Sequence, residues 1–333
     1  MRTAWAGAVV LSALFGLAAL LVRPGGEGLA VARGAKAAPV GPAAAARPEP
    51  REPPPRPLPS ARPDRRGASD ARYPWLEGAD ADRPSAAGGL EQRFPPPEGH
   101  ARVPVAAGSF CAFLRTLPLA PPGTPVVSYT GEVLRAGGHP NVAAVMALDV
   151  GGRDLQQCAD TIVRMHAEWQ WARGERDQGY KAASGLPLSF ARYAGGERLR
   201  VEDGKPRLVL AARPAPPTHA MMRTWLDDVF GWANTGSLAR DAQRVAIEDL
   251  RPGDFFVMPG SPFGHAVLVL DIAEDAAGRR ALLVGQGFVP AQSFHVVRPG
   301  PAQAWFVLDK AAGALETPFW KPFPFSTLRR LDR

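Results

Sequence analysis

The sequence predicts an α+β fold, an antiparallel sheet with packed helices, preceded by a disordered N-terminal tether. Three observations predict it. Apolar residues recur at helical spacing in two stretches, residues 153–173 and 218–233. From residue 253 to residue 288, short apolar runs are separated by Gly/Pro turns, the pattern of antiparallel strands. The first 95 or so residues carry too few large apolar side chains to bury a core, whereas the rest, about 230 residues, is the length of one domain.

The N-terminus sets the expected compartment. Met1-Arg2 precedes an apolar run over residues 4–22, which ends at Arg23-Pro24-Gly25-Gly26. An early positive charge ahead of a long apolar run is the pattern of an export signal. The run is long for a cleaved signal and just long enough to cross a bilayer. Ala30-Val31-Ala32 fits small-x-small cleavage. Residues 1–32 are therefore expected to be a signal peptide or an N-terminal membrane anchor, placing the remainder in the periplasm or cell envelope. No cysteine follows the run closely, which excludes a lipid anchor. Residues 33–102, rich in Pro, Ala, Arg and Gly, are expected to be a disordered linker, with Tyr73, Trp75 and Phe94 as sticky points in it. Residues 103–333 are expected to form a single globular domain.

Composition narrows the partners. Hydrophobic residues make up 46% and the net charge is +7. The arginines are dispersed, and no basic helix carries interleaved aromatics, so nucleic acid is not an expected partner.

Within the domain, SFCAFLRTLPL predicts a helix capped by Ser109 and ended by Pro118. VVSYTGEVL and VAAVMALDV predict strands. RDLQQCADTIVRMHAEW predicts a helix from about Arg153 to Arg173, its apolar stripe including Leu155, Cys158, Ile162, His166 and Trp169. THAMMRTWLDDVFGWA predicts a second long helix, and TGSLARDAQRV a third capped by Thr235 or Ser237. PGDFFVM, HAVLVLDIAED and RRALLVGQGF predict strands, the last two joined as a hairpin by Asp275-Ala276-Ala277-Gly278.

Two segments carry candidate chemistry. Cys158 lies near the start of its helix, where the helix dipole favours thiolate. His265 opens a strand after a Gly/Pro turn, a suitable place for a base. The order Cys then His is that of papain-like folds. The alternatives are a buried, inert Cys158, which a helix capped at Asp154 would favour, or a Cys111–Cys158 disulfide. Gln286 between two glycines suggests close backbone approach to a ligand, or a bulge. Asp160, Arg164 and Glu168, four apart, are expected on a solvated helix face, and His219 on a polar surface. The sequence holds no HExxH, CxxC pair, GxxxxGK[ST] or GxSxG, so no metal or cofactor is expected.

FLRTLPL, RDLQQCAD, HAEW, GDFFVMPG, GHAVLVLDIA, QGFVPAQ and TPFW, in this order, closely resemble the bacterial family called domain of unknown function 4846. More loosely, PGDFFVM followed by GHAVLVLD resembles the His-bearing hairpin of the NlpC/P60 and CHAP cysteine amidases, a papain-like fold. That resemblance implies Cys158 as nucleophile and His265 as base. It implies Gln286 as the group that orients the ring, with Gln292 and His295 as alternatives. It also implies an oxyanion site from the helix N-terminus with Gln156 or Gln157. The expected function is an exported cysteine hydrolase or amidase acting on peptide or amide bonds, with cell-wall peptide as one substrate. The membrane is expected to be met only through the N-terminal segment. The alternative is a non-catalytic envelope domain that binds a ligand or partner near Gln286 and Gln292.

Overall fold

The structure is a computed structural model and describes residues 72–77, 85–260 and 263–331. All of these lie in one compact unit, Asp64–Arg333. The signal or anchor expected over residues 1–32 and the first half of the expected linker lie outside the described residues. Among the described residues no helix is long and apolar enough to cross a membrane.

The fold is α+β. Nine strands form the main sheet: β1 (His100–Arg102), β2 (Val142–Val145), β3 (Gln243–Arg244), β4 (Phe255–Met258), β5 (His265–Asp275), β6 (Arg280–Gln286), β7 (His295–Val297), β8 (Phe306–Val307) and β9 (Leu328–Arg330). Their order is β2-β7-β6-β5-β4-β9-β3, with β1 added to the far end of β5 and β8 to β6. Every pairing is antiparallel. Six α-helices accompany it among the described residues: α1 (Leu90–Arg93), α2 (Phe110–Arg115), α3 (Cys158–Ala172), α4 (Phe190–Ala194), α5 (His219–Trp232) and α6 (Thr235–Asp241).

β5 is the centre of the sheet. Its run HAVLVLDI does not alternate apolar with polar, because both of its faces are covered. Ala266, Leu268 and Leu270 join a core with Ile162 and Val163 of α3 and with Trp225 and Val229 of α5. Val267 and Val269 join a second core with Phe256, Leu282, Val284, Val297 and Phe323. The two-residue period of a strand therefore sends His265 to the second face, together with Gln286 of β6 and His295 of β7. Asp275 and Gly278 close the predicted hairpin, Gly278 at φ 77°.

Local chemistry explains the helix ends. Ser109 caps α2, its hydroxyl accepting from Ala112 N at 3.2 Å, as predicted. Thr218 caps α5 in the same way. Asn234 caps α6, ahead of the predicted Thr235 or Ser237. VVSYTGEVL, expected as one strand, is a hairpin with short arms at Val126–Val127 and Val133–Arg135.

The folded body also begins earlier than residue 103. Tyr73, Trp75, Leu90 and Phe94 are buried in the first core, and the Trp75 indole donates to Ala147 O at 2.9 Å. The Pro-rich composition around these aromatics hid them, since a few large side chains docked on another element need no periodicity of their own.

Candidate functional site

α3 begins at Cys158, not at Arg153. Gln157 is the N-cap, its backbone N–H donating to Asp160 Oδ2 at 3.1 Å. Cys158 is thus the first helical residue, within the turn where the dipole acts. The preceding loop is tied to the loop after β6, where Asp154 Oδ1 accepts from Ala291 N at 2.7 Å and from Gln157 Nε2 at 3.0 Å. Gly287, next to Gln286, explains the glycine there. A Cβ at that position would lie 2.6 Å from Thr161 Oγ1 and 2.9 Å from Gln157 O, so the N-terminus of α3 rests directly on the end of β6.

The thiol of Cys158 lies against the end of β5, where the backbone amide of Ala266 donates to it. The His265 ring projects from the neighbouring residue on the second face. Thiol and ring thus flank one peptide unit, His265–Ala266. Among the described residues they make no direct hydrogen bond. Both cysteines are free, so the Cys111–Cys158 disulfide is absent, and Cys111 Sγ donates to Pro252 O at 2.7 Å.

The ring's protonation follows from its partners. Ser293 O, 2.9 Å from His295 Nδ1, can only accept, so Nδ1 of His295 carries the proton. Nε2 of neutral His295 then accepts, and the group 3.3 Å away must be the Gln286 NH2. That turns Gln286 Oε1 toward His265 Nε2 at 2.8 Å, which must donate. His265 is left with a lone pair on Nδ1. Burial lowers the His265 ring to about 4 against the raising effect of the Gln286 bond, and burial lowers His295 to about 3, so both are neutral near pH 7. Burial, then the Asp160 charge, raise the Cys158 thiol to about 11, so it is protonated there too. The Nδ1 lone pair of His265 is the unused acceptor at the end of this series, and Cys158, on the other side of the shared peptide unit, is not a preformed thiolate.

Both groups are covered, Cys158 4% and His265 1% exposed. Phe288 and Trp320 pack on the ring at 4.6 and 5.0 Å between centroids. Arg135 lies over Phe319, 4.2 Å from its centroid, and donates to Gln292 Oε1 at 2.7 Å. Gln292 also donates to Pro290 O, and it supports this aromatic cover without touching His265. No role for Phe288, Phe319, Trp320 or Arg135 was legible in sequence; the signals were the QGFVPAQ segment, which holds Phe288, and the TPFW segment, which holds Phe319 and Trp320.

Gln156 lies elsewhere. Its amide is committed to Asp149 O (2.9 Å) and Arg164 (2.9 Å), inside a buried charge network. Arg164 pairs with Asp149 at 2.9 Å and Glu168 at 2.6 Å. His219 meets Glu168 at 2.8 Å, and Arg223 meets Asp149 at 3.2 Å. The solvated face expected for Asp160, Arg164 and Glu168 is therefore buried, and His219 is a network member. Spacing of i, i+4 reads the same on a wet face and a dry one, and the deciding partners come from residues 149, 219 and 223. Among the described residues no three His, Cys, Asp or Glu side chains are grouped to hold a metal.

The family known as domain of unknown function 4846 matches residues 90–330, and the chain belongs to it. No curated protein and no solved structure matches the chain.

Proposed function

We propose that this member of the family is an exported cysteine hydrolase of the papain-like NlpC/P60 type, acting on peptide or amide bonds of the cell envelope. The observation that supports it is the hydrogen-bonded series Ser293–His295–Gln286–His265, which leaves one imidazole lone pair beside the residue packed on the first residue of α3. Cys158 Sγ attacks the amide carbon while its proton passes to His265 Nδ1. The same proton then goes to the leaving amine, and water hydrolyses the thioester with His265 again as base. The first amides of α3 would hold the oxyanion, with the second N–H of the Gln157 amide, whose other bonds Asp154, as a further donor. Gln286 and His295 are positioning residues that fix the tautomer. Because thiol and ring are covered, the segment bearing Phe319 and Trp320 must yield before a substrate enters.

The 4% exposure of Cys158 also favours a second reading, a domain that keeps this architecture and binds without turnover. Hydrolysis of envelope peptides by the wild type, compared with Cys158→Ser and His265→Ala, separates them. The hydrolase reading expects no turnover in the first variant and a loss of about 10²- to 10⁴-fold in the second, with folding retained. His295→Gln should shift the pH profile rather than abolish the rate. Equal rates in the wild type and Cys158→Ser, or a Cys158 that no thiol reagent modifies in the folded protein, would leave the binder.

A further inference from the structure

Five carboxylates are buried among the described residues: Asp149, Asp160, Glu168, Asp254 and Asp271. Four of them face protein cations. Asp149 has Arg164 and Arg223, and Glu168 has Arg164 together with a hydrogen bond to His219. Asp254 has Arg330, and Asp271 has Arg102 and Arg115. Asp160, 7% exposed, pairs with no Lys, Arg or His among the described residues. It is also the one of the five that lines a cavity of about 410 Å³ between α3, the strand Gly179–Lys181 and α6.

We propose that this cavity binds an organic primary ammonium group, with the Asp160 carboxylate as its counter-ion. A buried carboxylate without a cation is costly, and the other four sites show how this protein meets that cost. The walls suit a charge carried on a short apolar stem. Val163, Leu238 and Leu331 offer apolar surface, and Gln170 and Asn234 offer amide oxygens for the remaining N–H groups. Of the exposed lining groups, Asp241 is paired with Arg240 at 2.8 Å and approached by Lys181 at 4.0 Å, which leaves Asp177 as the carboxylate without an ion pair among the described residues. Burial raises the Asp160 carboxyl to about 8, against the Gln157 amide that it caps, so a bound ammonium would draw the proton off it. The volume is in the range of small-molecule sites. The inference goes beyond the hydrolase reading and does not depend on it, since it concerns binding alone.

The test uses the full chain carrying Cys158→Ser, so that nothing is turned over. Calorimetry would compare N-acetyl-lysine methylamide and alaninamide with the uncharged N-acetyl-norleucine methylamide. At least one amine should bind about tenfold or more tighter than the neutral ligand. Which amine does so tells a side-chain charge from a chain terminus. Asp160→Asn, whose carbonyl still accepts from the Gln157 amide, should reduce the amine to the neutral ligand's affinity. Equal binding of amine and neutral ligand overturns the proposal, and that comparison stands even where Asp160→Asn does not fold. Unchanged amine binding in a folded Asp160→Asn protein also overturns it, and leaves Asp160 as a helix cap only.

Discussion

Two polar networks lie in the interior, and they are built on opposite principles. Around Arg164 every charge meets an opposite charge: two arginines against Asp149 and Glu168, with His219 hydrogen-bonded to Glu168. The series that ends at His265 has no charged member, only donors and acceptors from Ser293 O to the ring. The first is closed apart from Arg223 Nη1, which is buried without a hydrogen-bond partner. Its groups are used against one another, which suits a device that locks α3 to α5 and to the loop after β2. The second is open, ending in a nitrogen with an unused lone pair. Closure marks structure; an unspent valence at the end of a fixed series marks a place where chemistry can start.

The sharpest way to break this contrast is to remove the keystone of the closed network. Arg164→Met leaves the buried Asp149 with Arg223 alone and Glu168 with His219 alone, and should cost about 3–5 kcal/mol. Urea denaturation measures it. If the variant is as stable as the wild type, the network is not the lock described.

The open network should reveal itself through pH. Unfolded histidine takes a proton near pH 6.5, whereas folded His265 and His295 refuse it until about 4 and about 3. Between those values the unfolded state binds more protons. The stability due to each ring is therefore full above pH 6.5 and is lost as pH falls, by up to about 1.4 kcal/mol per pH unit. Asp160 acts in the opposite sense. Its folded value of about 8 lies above the unfolded one, so its contribution is full below pH 3.8 and fades as pH rises toward 8. Denaturation midpoints from pH 4 to 8 should flatten on the acid side in a folded His265→Gln/His295→Gln variant, and on the alkaline side in Asp160→Asn. An unchanged acid limb in the double variant would show that the rings are not buried neutral.

The smallest effect sharpens the place where helix and sheet meet. Gly287→Ala should cost about 1–3 kcal/mol, because the new methyl group must displace Thr161 Oγ1 or the Gln157 carbonyl. Thermal unfolding measures it, and a neutral substitution would mean that α3 does not rest on the end of β6.

Much of the scaffold was legible in the sequence. α5, the hairpin of β5 and β6, and the Ser109 cap follow from spacing, turn residues and one hydroxyl, all local signals. Gln286 was legible because a polar side chain between two glycines fits no ordinary strand. The start of α3 was not. Leu155 continues the apolar stripe upstream, while the actual start is set by Gln157 and Asp160 exchanging a cap hydrogen bond. Nor was the burial of Asp160, Arg164 and Glu168 legible, because it depends on residues far along the chain. The aromatic cover of His265 was hidden for the same reason: Phe288 and Trp320 come together only once β6 and the C-terminal segment are in place.

Tyr73 and Trp75 bear on how this protein is handled at the bench. They stack with Phe113 of α2, yet lie ahead of residue 90, where the family match begins. An expression clone cut at the family boundary would discard an aromatic plug and leave its socket open to solvent. Such a product is expected to be sticky and short-lived, and the remedy is to start the clone a few residues before Arg72.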